Sequence, residues 1–572
     1  ALTAGGPAHA LAVPLFILLA QQRHAVAVTT ASPHIKLIAE LYDKTHETAV
    51  QYARFLAGGA ILPAVLAASL PSLDALTADH GVDVELAFDV WRPLLPSASP
   101  AAVKAAAAGK QQKEKEAAAG EDGELEDGEA AAAKAGDAAA PTTTTASPLA
   151  CVGAAGLTWD AFLAQVERCA PPRAWRSLTP AFFATFWRLT LHDIVFPGDA
   201  YAAEKKRLTA ALAAKRRAVA TAEAERAARD RPVWRGGAWA PPEDVRALEE
   251  DVKAAKKEAT RLADTVAALD AEAAAHRARV AAVHAGLAAD APTWLAGVPD
   301  PAGTVATFLE RCVLPRVLHS PADAAFAAAF ARLVHSLRTP GFSTLLYYDR
   351  TLKDVLPAIL ASTDAEAARL GVFLRDTLAP LETWRTDAAA YEAECAGAPG
   401  FAADLGAGAG GAPTPRADFV RLCHKWQHRA ARAFRDALGT GQHVHARAAL
   451  LVLNACVRTF PCLAGVAASL KRAAEKVRES TDREDVKTLA NMYVMALTRE
   501  AASGRMLTQE AFGGGAKAGV RPASAARPGK KCPPPAAATA MLRPDAKEFV
   551  PGQGKGTAPA GGQGPARPAA RA

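Results

Sequence analysis

The sequence predicts an all-α protein: a helical-repeat, solenoid-like body, a projecting antiparallel coiled-coil hairpin and a disordered basic tail. Three observations carry that prediction. Alanine dominates a hydrophobic fraction of 50%, whereas aromatics make up only 6%, and alanine has the best intrinsic helix propensity. Positions from Val245 to Leu287 alternate steps of three and four without a slip, the rhythm of a heptad seam. Residues 501–572 hold 11 Lys and Arg against three acids, so the net charge of +7 sits in the tail and the rest of the chain is close to neutral. At 572 residues, against a prior of about 150 per domain, the chain holds several domains or one repeat array. β-Branched and aromatic residues are too sparse for a sandwich or barrel, and the 41 glycines lack collagen's three-residue period.

The first segment, residues 1–96, reads as paired helices with short connections. Leu15, Phe16, Leu18 and Leu19 lead into Gln21, and Ile35, Leu37, Ile38, Leu41 and Tyr42 recur at helical spacing. Ser32-Pro33 resembles an N-cap with proline at the first helical position. Short helices fit Leu73 to His80 and Val82 to Trp91. The longest apolar run, Ala10 to Ala20, contains Pro14 and falls short of the roughly 20 residues that span a bilayer, so no membrane partner is expected. The chain opens on Ala1 without a Met or a charged stretch ahead of that run; no signal peptide is expected, and a fragment is.

Residues 97–148 form an acidic, alanine-rich insertion with almost no large apolar side chains. Such a segment cannot offset its ordering entropy and is expected to be disordered. Helical sequence resumes over 149–200. Trp159, Phe162, Leu163 and Val166 share a face, and Thr179-Pro180 opens a buried helix carrying Phe182, Phe183, Phe186, Trp187, Leu191 and Ile194.

Residues 201–290 are the hairpin. Its second helix carries the unbroken seam, and Leu208, Leu212, Lys215, Val219 and Ala222 repeat the rhythm upstream. Arg231-Pro232, Gly236-Gly237 and Pro241-Pro242 stop one helix and start the other. His276, at a seam position, reads as a register device or a partly solvated residue rather than a ligand. Residues 291–500 return to helical repeats, with a flexible Gly/Ala/Pro loop at 402–415, and residues 501–572 are the disordered basic tail.

Candidate chemistry is thin. Gly406, Gly408 and Gly411 satisfy G-x-G-x-x-G literally but sit in low-complexity sequence before Pro413 and Pro415, without the strand and helix that a dinucleotide site needs. Gly554-Lys555 has Phe549 at the position where a P-loop requires glycine. His424 and His428 share a helical face near Cys423, His443 and His445, but Lys425 stands where a metalloprotease motif has Glu. Ser343 reads as the cap of a helix starting near Thr344, and neither Asp193 nor Asp349 has a partner acid for general acid–base work. No metal, cofactor or catalytic residue is assigned, and an enzyme is not expected. The eight cysteines (151, 169, 312, 395, 423, 456, 462 and 532) show no C-x-x-C spacing and read as reduced thiols of a cytosolic or nuclear protein.

Several strings carry a resemblance. They run from Pro14 to Arg23, His34 to Asp43, Leu70 to Asp74, Pro180 to Ile194, Leu337 to Arg350, Cys423 to Trp426 and Glu475 to Arg478. In this order, bracketing a coiled coil, they resemble the family of THO complex subunit 2, and specifically its carboxy-terminal half. The resemblance implies a non-enzymatic nuclear scaffold of the THO/TREX machinery that couples transcription to mRNP assembly and mRNA export. It implies as partners the other THO subunits, a DEAD-box RNA helicase, RNA-export adaptors and RNA. It also implies a nucleic-acid-binding tail, whose candidate residues are Arg521, Arg527, Lys530, Lys531, Arg543, Lys547 and Lys555. Composition and periodicity alone fit equally a cytoplasmic helical coiled-coil scaffold or tethering adaptor.

Overall fold

Alanine-rich segments punctuated by prolines and glycines fold as helices, most of them packed on helices close by in the chain. A computed structural model describes residues 11–32, 34–105, 107, 150–229, 233–235, 238–240, 243–402 and 412–513. Helix α1 (Ala12–Thr29) lies on α2 (Ile35–Phe55), where Tyr52 Oη donates to Ala12 O at 3.1 Å. The expected cap of α2 is displaced: the N-cap is His34, and Ser32 Oγ instead accepts from His34 N at 3.1 Å. The expected apolar face is displaced too. Ile35 and Leu37 are exposed, and α2 buries His46, Ala49, Val50 and Ala53. Three short helices follow: α3 (Pro63–Ser69), α4 (Leu73–Ala78) and α5 (Val84–Trp91).

The insertion begins later than its composition suggested. Residues 100–105 are helical, Ala98 and Ala102 are buried, and Ser99 Oγ donates to Asp290 Oδ1 at 2.6 Å. On the far side, Ala150 O accepts from Ala98 N at 3.1 Å. Residues 108–149 lie outside the described residues.

The predicted buried aromatic helix is two. Helix α7 (Pro180–Arg188), which follows α6 (Trp159–Val166), ends before Leu189, and a single turn, α8 (Leu191–Ile194), starts afresh. Thr190 makes the second start: its N–H and hydroxyl both donate to Asp193 Oδ2, at 2.8 and 2.7 Å, in a capping box. Phe182, Phe183, Phe186 and Trp187 are fully buried, whereas Leu191 is half-buried. The Phe186 ring meets Phe308, Phe326 and Phe330 at 5.3, 5.5 and 5.2 Å.

Helices α9 (Gly198–Arg229) and α10 (Glu243–Asp290) pair antiparallel, as the ion pairs Lys205–Asp270 (2.8 Å), Lys256–Glu223 (2.5 Å) and Arg226–Glu249 (3.1 Å) require. At 48 residues, α10 is about 70 Å long. From Val252 to Leu287 every position of the three–four rhythm is buried or half-buried, while most residues between are exposed. The turn between the helices holds a departure from an all-helical chain. Strands β1 (Val233–Arg235) and β2 (Ala238–Ala240) form an antiparallel ribbon with Trp234 opposite Trp239.

The remaining helices are α11 (Pro301–Phe308), α12 (Leu314–His319), α13 (Pro321–Ser336), α14 (Thr344–Arg350), α15 (Asp364–Thr386), α16 (Ala388–Glu394), α17 (Arg416–Gly439), α18 (His443–Cys456), α19 (Ala464–Ser480), α20 (Glu484–Ala502) and α21 (Gln509–Phe512). One hydrophobic core links Ala12 to Phe512. The 402–415 loop is pinned at both ends: Ala402 bridges Pro413, and Thr414 O accepts from Tyr391 Oη at 2.8 Å. The tail also starts later than position 501. Phe512 is buried under the Arg385 guanidinium, 4.3 Å from its ring centroid, and Arg505 pairs with Glu500 at 2.9 Å. Among the described residues no helix is long and apolar enough to cross a membrane, and the seven described cysteines are free thiols.

Candidate interaction groove

The residues expected to contact nucleic acid, Arg521, Arg527, Lys530, Lys531, Arg543, Lys547 and Lys555, lie outside the described residues. So do Gly406, Gly408 and Gly411 of the literal G-x-G-x-x-G. Ser343 is the N-cap of α14, its Oγ accepting from Leu346 N at 3.3 Å. His424 and His428 stand side by side on α17, ring centroids 4.6 Å apart, but Cys423 turns into the core, where burial raises its thiol pKa. Asp349 accepts from Trp426 Nε1 at 2.9 Å and from Arg429 Nη1 at 2.7 Å. It thereby fastens the Leu337–Arg350 string to the Cys423–Trp426 string. His276 is buried, not partly solvated. Its Nε2–H donates to His192 O at 2.8 Å, and Nδ1 lies 3.3 Å from Tyr201 Oη, whose proton is donated to Glu272 Oε1 at 3.0 Å.

A groove of about 640 Å³ opens where the first turns of α2, α15, α18 and α20 converge. Asp43 of α2 reaches across to α15: Oδ1 accepts from Thr363 Oγ1 at 2.7 Å and Oδ2 from Ala365 N at 3.4 Å. Thr363 and Glu366 complete a capping box on the same turn. Burial raises the pKa values of Asp43 and Glu366, against the hydrogen bonds from Thr363. Arg447 of α18 ties Asp364 at 2.6 Å to Asp485 at 2.7 Å, and Lys36 lies 3.8 Å from Asp485. Ile35 and Leu360 leave an apolar rim, 66% and 42% exposed. These charges are engaged in holding helices together.

Beneath it, a buried polar chain joins the first segment to the middle of the protein. Arg23 Nη1 donates to His46 Nδ1 at 2.8 Å, and His46 Nε2–H donates to His319 O at 2.8 Å. His319 Nε2–H in turn donates to Asp89 Oδ2 at 2.7 Å. Burial would raise the Asp89 carboxyl, but His319 and Arg92 hold it well below the usual carboxylate range. Sequence reading missed this junction and the groove. Only the Thr363–Glu366 pair is readable in sequence, as the S/T-x-x-E capping signature.

Residues 175–497 match the family model described as transcription factor/nuclear export subunit protein 2. The chain is 29% identical over 509 residues to THO complex subunit 2 of Arabidopsis thaliana, covering 88% of this chain and 25% of that protein. It is 28% identical over 494 residues to THO complex subunit 2 of Homo sapiens, covering 85% and 27%. Against that of Saccharomyces cerevisiae the identity is 37% over 78 residues, 14% of this chain and 5% of that protein. The chain thus spans about a quarter of the length of the Arabidopsis and human relatives.

Proposed function

Because the chain belongs to the family of THO complex subunit 2, we propose that it is a non-enzymatic nuclear scaffold subunit of the THO/TREX machinery, coupling transcription to mRNP assembly and mRNA export. The observation that carries this reading is the family match over residues 175–497. Within it, polar groups such as Asp349, Arg447 and Asp193 are engaged in joining helices, which is the chemistry of a framework. The partners are the other THO subunits, a DEAD-box RNA helicase, RNA-export adaptors and RNA. The α9–α10 pair is a coiled-coil arm of a solenoid-like body, offering a surface to a partner, and the groove rimmed by Ile35 and Leu360 offers another. Beyond residue 513 there are ten Lys and Arg against two acids. Arg521, Arg527, Lys530, Lys531, Arg543, Lys547 and Lys555 among them bind RNA phosphates without sequence preference.

Affinity purification from nuclear extract tests the assignment. THO subunits are expected among the co-purifying chains, and Ile35→Asp with Leu360→Asp is expected to reduce their recovery. Recovery of cytoplasmic tethering or cytoskeletal proteins in their place would overturn it.

A further inference from the structure

A second cleft, of about 380 Å³, lies on the body where the turn after α2, the end of α5, the α7–α8 break and α10 meet. Its lining carries four arginines, Arg54, Arg92, Arg188 and Arg279, and two acids, Asp89 and Asp193. Both acids are committed: Asp89 to Arg92 at 2.6 Å and to His319, and Asp193 to Arg279 at 2.7 Å and to Thr190. His192, also in the lining, has its pKa lowered by burial and by the neighbouring His276 and Arg279, and so adds no charge at neutral pH. The lining therefore holds four arginines against two acids, with Arg54 also held by Asp323 at 3.4 Å from outside it, and Arg188 is left without a carboxylate among the described residues.

Arg188 is the anomaly. It is 93% buried, taking its relative exposure of 7%, yet no carboxylate among the described residues pairs with it. Nη1 donates to Ser97 O, while Nε is sealed from solvent without a partner. Burial lowers its pKa to about 10, countered by Asp290 and Asp193, so it stays charged at neutral pH. A buried, unpaired guanidinium is costly unless an anion meets it.

We propose that this cleft is a recognition site for a phosphate monoester, carried as a phosphorylated serine or threonine side chain of a partner peptide. A monoester bears about −1.5 to −2 charges at pH 7, more than the single charge of a phosphodiester of RNA, and so gains more from an arginine-rich lining. Guanidiniums offer the forked donors that phosphate oxygens accept. The walls agree with a peptide: Pro93, Pro96 and Val283 line the cleft, and no Phe, Tyr or Trp is in the lining on which bases would stack. This site is independent of the scaffold assignment and of the tail.

The test is calorimetric titration of the full chain with N-acetyl-phosphoserine amide, with inorganic phosphate and oligouridylate as competitors. Arg54→Gln and Arg279→Gln change side chains that are half exposed, and each is expected to weaken binding of the monoester at least tenfold while the helical circular dichroism of the folded chain is kept. Arg188→Gln is expected to abolish it. Inorganic phosphate is expected to compete and oligouridylate is not. Absence of binding, equal binding by Arg54→Gln and Arg279→Gln, or displacement by oligouridylate at the same phosphate concentration would overturn the proposal.

Discussion

His46 satisfies both its neighbours only as a neutral imidazole, with Nδ1 accepting from Arg23 and the proton on Nε2 donated to His319 O. Burial lowers its pKa to about 3. In the unfolded chain the ring titrates near 6.5, so below that pH the unfolded state binds a proton that the folded state refuses. Stability from this group is therefore complete above pH 6.5 and is lost as the pH falls toward 3. His335, lowered by burial to about 4, acts in the same sense. His46→Gln keeps one acceptor and one donor but cannot titrate. Urea unfolding should show the unsubstituted chain losing about 2 kcal/mol more than the Gln variant between pH 7 and pH 5; parallel losses would refute this role. Residues whose partners are local, such as Ser343 capping its own helix, were legible in the sequence. His46 and Arg316 were not, because their partners lie far along the chain: His46 meets His319, and Arg316 donates to Phe186 O and Leu189 O.

Elements were legible in proportion to their periodicity. The seam of α10 could be read position by position because a two-helix contact repeats the same requirement at every turn. The β1–β2 ribbon could not be read, since Pro232, Gly236 and Gly237 signal only a break. The tail boundary at 501 falls short of the buried Phe512 because alanine and glycine dominate the sequence around the last short helix, α21. Two predictions belong here. Trp187 is 1% exposed and stacks on Phe88 at 5.8 Å; Trp187→Ala should cost about 3–5 kcal/mol by chemical denaturation. Leu212 is buried in the helix pair, so Leu212→Asp should remove hydrogen-exchange protection from the outer parts of α9 and α10. The body should keep its protection, including α8, which holds the root of the pair through Arg279–Asp193 and His284 Nε2–H to Ile194 O at 2.9 Å. Equal loss in the body would show that the pair is not a separate unit.

At the scale of the whole molecule, charge and packing divide the labour. Among the described residues the core reaches as far as Phe512, so Arg505 and Phe512 leave the list of groups free to meet RNA. RNA affinity should therefore survive a truncation after residue 513 only if the tail is not the binding element. With the tail intact and about five phosphates contacted, affinity should fall roughly a hundredfold between 50 and 200 mM salt. Filter binding with single-stranded RNA measures both. A flat salt dependence, or undiminished affinity without residues 514–572, would exclude the tail.

The central claim, a scaffold without catalysis, is tested most directly by native mass spectrometry of the chain mixed with the purified remaining THO subunits, using the unsubstituted protein and the variants Ser343→Ala, His424→Ala and His428→Ala. The account predicts one stoichiometric assembly, formed equally by all four proteins. Failure of the unsubstituted chain to join, or loss of assembly in a folded histidine variant that is reversed by added zinc, would contradict it.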